Sequence, residues 1–254
     1  MQKKHRRALY LMEQEKFIVK FAETVEENNA AFRLRYNDML LEYRPDTVRE
    51  NGMDVTPYDE FAKQAICIDN ETGEVVGCYR LISTDSLPIG NPFVCEEEFD
   101  ISSLKASGER IIELSRAVVK KEYRNSMVLM LLLRFIVSYI REQGFRFVIG
   151  EASFLGIDKQ VWKNELSYLA HYHAIEKYEI TALEKAQIEL LPKEALDAAN
   201  IKRGLPPLIR AYLGFGARVS VTSCTDFDFG SVDVFILLDL EDYNATYTNR
   251  LLRL

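Results

Sequence analysis

The chain has 254 residues, 48% of them hydrophobic and 28% charged, with a formal charge of −7. Such a chain can bury a core as one large domain or two small ones and reads as a soluble globular protein. Its acidic balance argues against a nucleic-acid binder, which would carry a basic face.

The start, MQKKHRR, is basic, but too few apolar residues follow for a secretory core and no small-residue cleavage site appears. Residues 1–15 are therefore expected to be a flexible terminus. The competing reading is a basic amphipathic turn, KKHRRALYLM, lying on the inner face of a membrane. The protein is expected in the cytoplasm. No window holds the roughly 18 apolar residues of a spanning helix; the best, 127–140, is interrupted by Arg134 and Ser138.

KFIVKF (16–21) alternates and predicts a strand, and the apolar spacing from Glu26 to Leu41 predicts a helix. After a polar stretch with Pro45, Gly52 and Pro57, AICID and EVVGCYRLI flank NETG as a hairpin. A loop with Pro88, Gly90 and Pro92 leads to the strand IIELSRAVV (111–119), a helix beginning near Tyr123 or Arg124, and the strand FRFVIGEAS. Ile157–Lys177 and Ile180–Ala199 read as helical, an insert near 157–200; PPLIRAYLGFG is a helix stopped by glycine, and ARVSV and VDVFILL are closing strands. The order predicts an α/β (α+β) fold, a three-layer mixed sheet, in a single domain over 1–254.

Cys67, Cys78, Cys95 and Cys224 form no C-x-x-C pair, so neither a zinc site nor a disulfide framework is signalled and reduced thiols are expected. His171 and His173 are two apart on a predicted helix and point apart. Asp226, Asp228 and Asp233 fall short of a calcium loop, since Gly230 comes one place early and no glutamate closes it. No metal is expected.

The strand IIELSRAVV carries Glu113 and Arg116 among apolar neighbours. Alternation sets Glu113 with Ile111 and Ser115 on one face and Arg116 with Leu114 on the other; a bulge would redirect either. Glu113 has two readings. It is a buried ion-pair partner for an arginine such as Arg80, or a carboxylate placed to take a proton from a substrate.

Four motifs, FRLRY (32–36), DVTPYD (54–59), GCYRLI (77–82) and ELSR (113–116), occur in the order found in the GNAT superfamily of N-acyltransferases, in its branch of acyl-homoserine-lactone synthases and ornithine N-acyltransferases. EASFLGID (151–158), ELSYLAHYHA (165–174), LPPLIRAYLGFGA (205–217) and DFDFGSVDVFILL (226–238) resemble the ornithine N-acyltransferases of ornithine-lipid synthesis in particular. The resemblance implies a GNAT-like fold and transfer of a long-chain, 3-hydroxylated fatty acyl group to the α-amine of an amino acid, ornithine first. It implies Glu113 as general base and Arg35, Asp54, Asp59, Arg80 and Arg116 on the acceptor side.

No bound cofactor is implied; the donor is a co-substrate, acyl carrier protein (acyl-ACP) or acyl-CoA. Acetyl-CoA users of the superfamily cradle pyrophosphate on a glycine-rich turn at a helix N-terminus. Here RNSMVL (124–129) puts Met127 and Leu129 where glycines belong, which suits a carrier protein. Lys120, Lys121 and Arg124 would face that acidic partner. Two departures stand out. Many relatives carry a histidine near Gln64, and the first-helix tryptophan of lactone synthases is replaced by Tyr43 and Arg44. The alternatives are an N-acyl amino acid synthase using glycine, lysine or tyrosine, an acyl-homoserine-lactone synthase, which the missing tryptophan disfavours, and a catalytically silent adaptor for a carrier protein or membrane.

Overall fold

The computed structural model describes residues 16–253 and the backbone of 11–13. Most of the basic terminus, including the KKHRRALY of the expected membrane turn, lies outside the described residues. In chain order the elements are β1 (Leu11–Glu13), β2 (Phe17–Phe21), α1 (Val25–Arg35), β3 (Lys63–Asp69), β4 (Val75–Ser83), β5 (Phe99–Asp100) and β6 (Ile111–Val119). Then follow α2 (Val128–Gln143), β7 (Phe147–Leu155), α3 (Lys163–His173), β8 (Thr181–Ala182), α4 (Ala198–Gly204), α5 (Pro207–Phe215), β9 (Arg218–Asp226), β10 (Ser231–Asp239) and α6 (Ala245–Leu252). Two compact units result: the chain up to Pro88 with Leu114–Gly144 and the last residues from Leu251, and Ile89–Glu113 with Phe145–Arg250.

In the first unit the strands run β1-β2-β3-β4-β6, with β1 to β4 antiparallel. Gln64 pairs across with Arg80, and Cys67 with Gly77. A Cβ on Gly77 would lie 2.5 Å from Val128 Cγ1 and 2.9 Å from Leu132 Cδ1, so α2 rests directly on β4 where only glycine leaves room. Phe21 meets Phe135 and Tyr139 of the same helix edge-on, with ring centroids 4.9 Å apart in both pairs. One residue after Gly77, Cys78 Sγ lies 3.9 Å from the Ala31 carbonyl of α1. Alternation therefore turns Arg80, two residues on, toward the α1 side of the sheet, the side where Arg35 ends that helix.

Helix α1 starts at Thr24, whose Oγ1 accepts the Glu27 N–H at 3.1 Å, and runs on through a π-helical turn, Tyr36–Leu40. Helix α2 starts later than predicted. The Tyr123 hydroxyl donates to Asp69 at 2.9 Å, and Arg124 donates to the carbonyls of Val119 and Asp38. These ties hold the preceding stretch in a 3₁₀ turn, and the helix begins at Val128.

In the second unit β10 lies between β7 and β9, antiparallel to both, and every residue from Ser231 to Leu237 is buried. Phe154, Leu166, Leu169, Ile209, Val219, Val232 and Val234 form its core. The predicted helix over 180–199 is corrected: Thr181–Ala182 pairs with Phe99–Asp100 as β8 with β5, and helix returns only at Ala198. Glu184 and Gln187 explain why. The Glu184 carboxylate accepts the Thr225 N–H, and the Gln187 amide both accepts from and donates to the Ser223 backbone. Side chains that satisfy the edge of β9 in this way hold their own backbone out of a helix. Among the described residues no helix is long and apolar enough to cross a membrane.

Candidate active site

Four segments of the first unit converge on one buried network: the end of α1, the turn before β3, the middle of β4 and the bend in β6. Arg35, fully buried, donates through Nε to Asp54 Oδ2 at 2.9 Å and through Nη1 and Nη2 to the two Asp59 oxygens at 2.7 and 3.1 Å. Such two-pronged pairing fixes geometry as well as charge. Asp59 is set by its own turn: in Thr56-Pro57-Tyr58-Asp59 its carboxylate accepts the Thr56 N–H at 2.8 Å, half of a capping box with proline at the first position. Arg80, also fully buried, donates to Ser115 Oγ at 2.9 Å and Thr56 Oγ1 at 2.8 Å, and its Nη1 lies 3.8 Å from Asp59 Oδ1.

Arg116 completes the network through Nε to Asp54 Oδ2 at 3.1 Å. Its φ is +53°, the only left-handed non-glycine residue among those described, so the strand bends there as expected of a bulge. A bulky residue in that region stores strain that the surroundings must hold. Of these three arginines Arg116 alone reaches solvent, with a quarter of its side chain exposed.

Burial alone would raise both carboxyls. Arg116 and Arg35 outweigh it at Asp54, and Arg35 and Arg80 at Asp59, so both are held below the ordinary carboxylate value. Cys78 beside them is pushed up to about 12, chiefly by burial, and stays a thiol. Sequence reasoning missed two partners of Arg80, Thr56 and Ser115. Thr56 was legible as the first member of a T-x-x-D capping pattern; Ser115 shares a face of β6 with Glu113.

Glu113 belongs to the second unit and is 1% exposed. Its two oxygens accept the N–H groups of Val94 and Cys95 at 2.9 and 2.8 Å. The amide donors come from the 3₁₀ turn Val94–Glu97 and leave no local sign in the sequence. Beneath it the Cys95 thiol is pushed well up by burial and by the Glu113 and Glu151 charges. The carboxylate is thus held in one orientation, and each oxygen has a second lone-pair direction.

The basic trio sits in a surface patch already supplied with acids. Lys120 Nζ pairs with Glu74 at 2.5 Å, Arg124 grips both Glu42 oxygens at 2.5 and 3.1 Å, and the Lys121 N–H donates to Asp38 at 2.9 Å. In the second unit Glu98, Asp226 and Asp233 each bring a carboxylate oxygen within 4.8 Å of the others, the one such group among the described residues. Burial first, then the Asp233 and Asp226 charges, push the Glu98 carboxyl up to about 8. DFDFG is a turn, as expected, with Asp226 accepting the N–H groups of Asp228 and Phe229.

Residues 34–134 match the acetyltransferase (GNAT) domain family. An L-ornithine N(alpha)-acyltransferase of Rhodobacter capsulatus is 30% identical over 91% of this chain and 95% of its own length. One of Agrobacterium fabrum is 28% identical over 90% of this chain and 82% of its own. Among solved structures, an N-acyl amino acid synthase from uncultured soil microbes superposes with a TM-score of 0.51 at 8% identity, covering 91% of this chain and 95% of that one. A CoA-dependent acyl-homoserine lactone synthase gives 0.50 at 17%, over 88% and 79%. These likenesses show the fold. Taken with the near full-length match to the Rhodobacter protein, they make this chain a GNAT-fold acyltransferase belonging to the L-ornithine N(alpha)-acyltransferase family.

Proposed function

We propose that this acyltransferase moves a long-chain, 3-hydroxylated fatty acyl group from acyl carrier protein to the α-amine of ornithine, giving a lyso-aminolipid. The observation that carries this reading is the convergence of FRLRY, DVTPYD, GCYRLI and ELSR on one network, in Arg35, Asp54, Thr56, Asp59, Arg80, Ser115 and Arg116. In it Arg35, Arg80, Asp54 and Asp59 are the frame. Arg116, held by Asp54 and partly exposed, takes the acceptor's carboxylate.

An α-amine titrates near about pH 8, so most of it is ammonium at neutral pH and must lose a proton before attack. Glu113 takes that proton, directly or through a water. The amine nitrogen then bonds to the thioester carbonyl carbon and main-chain amides hold the oxyanion. The C–S bond breaks, the departing thiolate takes the second proton, the one the attacking nitrogen must lose, and Glu113 releases the first to solvent. Lys120, Lys121 and Arg124 meet the acidic carrier by exchanging Glu74 and Glu42 for its carboxylates, a trade that costs little because exposed pairs are worth roughly 0–1 kcal/mol. Contact with the inner membrane face, where a lipid product would be delivered, belongs to the same proposal.

The test is to incubate the protein with carrier protein bearing a 3-hydroxyacyl group and a mixture of amino acids, then weigh the product by mass spectrometry. N-acylornithine is expected. N-acylglycine, N-acyllysine or N-acyltyrosine would reassign the acceptor, and no acylated amine at all would leave a silent adaptor. Glu113→Gln should lower turnover by about 10²-fold or more. The variant sets an amide NH₂ against one main-chain N–H, so circular dichroism should show a folded protein with a modestly lower Tm. Full turnover in the folded variant overturns the base assignment.

A further inference from the structure

One buried polar atom of the first unit takes no part in the network around it. Gln64 lies in β3 opposite Arg80 and is 2% exposed. Its Nε2 donates to Asp59 Oδ1 at 3.0 Å, and its backbone carbonyl accepts the Ala22 N–H. Its side-chain oxygen, Oε1, is buried with no hydrogen-bond partner among the described residues. Turning the amide over does not help, because that would press Oε1 against the Asp59 carboxylate and orphan the NH₂ instead. Leaving such an acceptor unmet in a protein interior is costly, and where a chain tolerates it a ligand that brings the missing donor is a physical reason.

The surroundings say what kind of donor fits. Asp59 Oδ1, the atom that Gln64 binds, also takes Arg35 Nη1 at 2.7 Å and lies 3.8 Å from Arg80 Nη1. Asp54 stands one bond beyond Arg35 in the same network, and Arg116 one bond beyond Asp54. Two guanidiniums beside one shared carboxylate repel an additional cation, and an uncharged carbonyl does little to attract one. A neutral N–H donor suits the place, and the reaction requires one such group, the acceptor's amine after it has lost its proton.

Resting on the acyltransfer reading above, we propose that Gln64 Oε1 accepts a hydrogen bond from the neutral amine of the acceptor amino acid, holding its lone pair toward the thioester. Gln64 is then a substrate-binding residue that favours the reactive form of the amine.

The test uses two variants and one binding measurement. Gln64→Met, close in shape but without the amide, should raise the acceptor KM about tenfold, leave the donor KM unchanged and lower the Tm modestly, since the Nε2–Asp59 bond goes with the carbonyl. Gln64→Glu places a carboxylate where it stabilises the ammonium form, so the acid limb of kcat/KM for the acceptor should move up by about one pH unit. Both variants lose the Nε2–Asp59 bond, so a merely structural glutamine would alter KM in both and leave the acid limb in place; the shift of that limb in Gln64→Glu reports the amine. In the wild-type protein the Gln64 side-chain NH₂ resonance should move on addition of ornithine without donor, a readout that needs neither turnover nor a folded variant. An unchanged acceptor KM and pH profile, or no resonance shift at saturating ornithine, overturns the proposal and leaves Oε1 meeting a buried water only. If wild type acylates no amine yet the resonance moves, the acyltransfer reading fails and the binding role stands.

Discussion

The chain holds two acidic clusters, one in each unit, and they behave in opposite ways. Asp54 and Asp59 face Arg35, Arg80 and Arg116 and are held ionised below the usual carboxylate range. Glu98 faces Asp233 and Asp226, and burial together with those charges lifts it to about 8, so at neutral pH it keeps its proton. Cys224, which bonds Glu98, is pushed up to about 12, first by burial and then by the Glu98 charge. The same residue types thus make a fixed array of charges in one unit and a carboxyl that keeps its proton in the other. What differs is which segments deliver a guanidinium, and that is a property of the fold.

Removing the cations is the strongest way to break the contrast. Arg35→Ala would leave Asp54 and Asp59 buried with one guanidinium fewer, and the loss should be about 3–5 kcal/mol of stability. Urea denaturation of the folded variant measures it; a loss under about 1 kcal/mol would mean that the network is worth no more than a surface pair. The second unit has its own buried cation in Lys159, whose Nζ reaches Glu184, the Ala186 carbonyl and the Ser223 carbonyl at 2.6, 3.0 and 2.8 Å. Lys159→Met should cost less, about 1–3 kcal/mol, because Glu184 is a quarter exposed and can be hydrated again. Equal losses in the two variants would erase the distinction drawn between the units.

How much of this was legible in the sequence follows from what each feature depends on. The longer strands and the body of α2 were readable because period and apolar runs are local, and NETG marked its hairpin unaided. Arg35, Asp59, Arg80 and Arg116 came from motif resemblance, and the structure joins them because α1, the 57–60 turn, β4 and β6 lie side by side. The failures are long-range. Ile180–Ala199 has helical spacing, but Glu184 and Gln187 are taken up by β9, some 40 residues away along the chain. Glu113 was singled out correctly as a buried carboxylate, yet nothing local announces that the amides of Val94 and Cys95 would hold it. Asp226 and Asp233 stood together in the sequence, but Glu98 joining them was invisible for the same reason, since it is the residue before β5 and they lie at the end of β9 and in β10.

The smallest expected effect is also the sharpest discriminator, because it is absent near pH 5 and appears only as pH rises. A carboxyl raised to about 8 from its ordinary 4.5 binds a proton in the folded chain that the unfolded chain has released. Its contribution is full below about pH 4.5 and is lost as pH rises through about 8. The lowered Asp54 and Asp59 do the reverse, contributing above about pH 4 and failing as acid protonates them. Glu98→Gln mimics the protonated form at every pH and keeps an oxygen for the Cys224 thiol. The variant should therefore match wild type near pH 5 and exceed it at pH 9, by an amount on the order of 1 kcal/mol or a few degrees in Tm, since Glu98 is partly solvated. The acid limb should be untouched, because it belongs to the arginine-paired cluster. Melting curves at pH 3.5, 5 and 9 decide the matter: a variant that loses stability at pH 9 would show Glu98 ionised in the folded chain and bound to something that needs its charge.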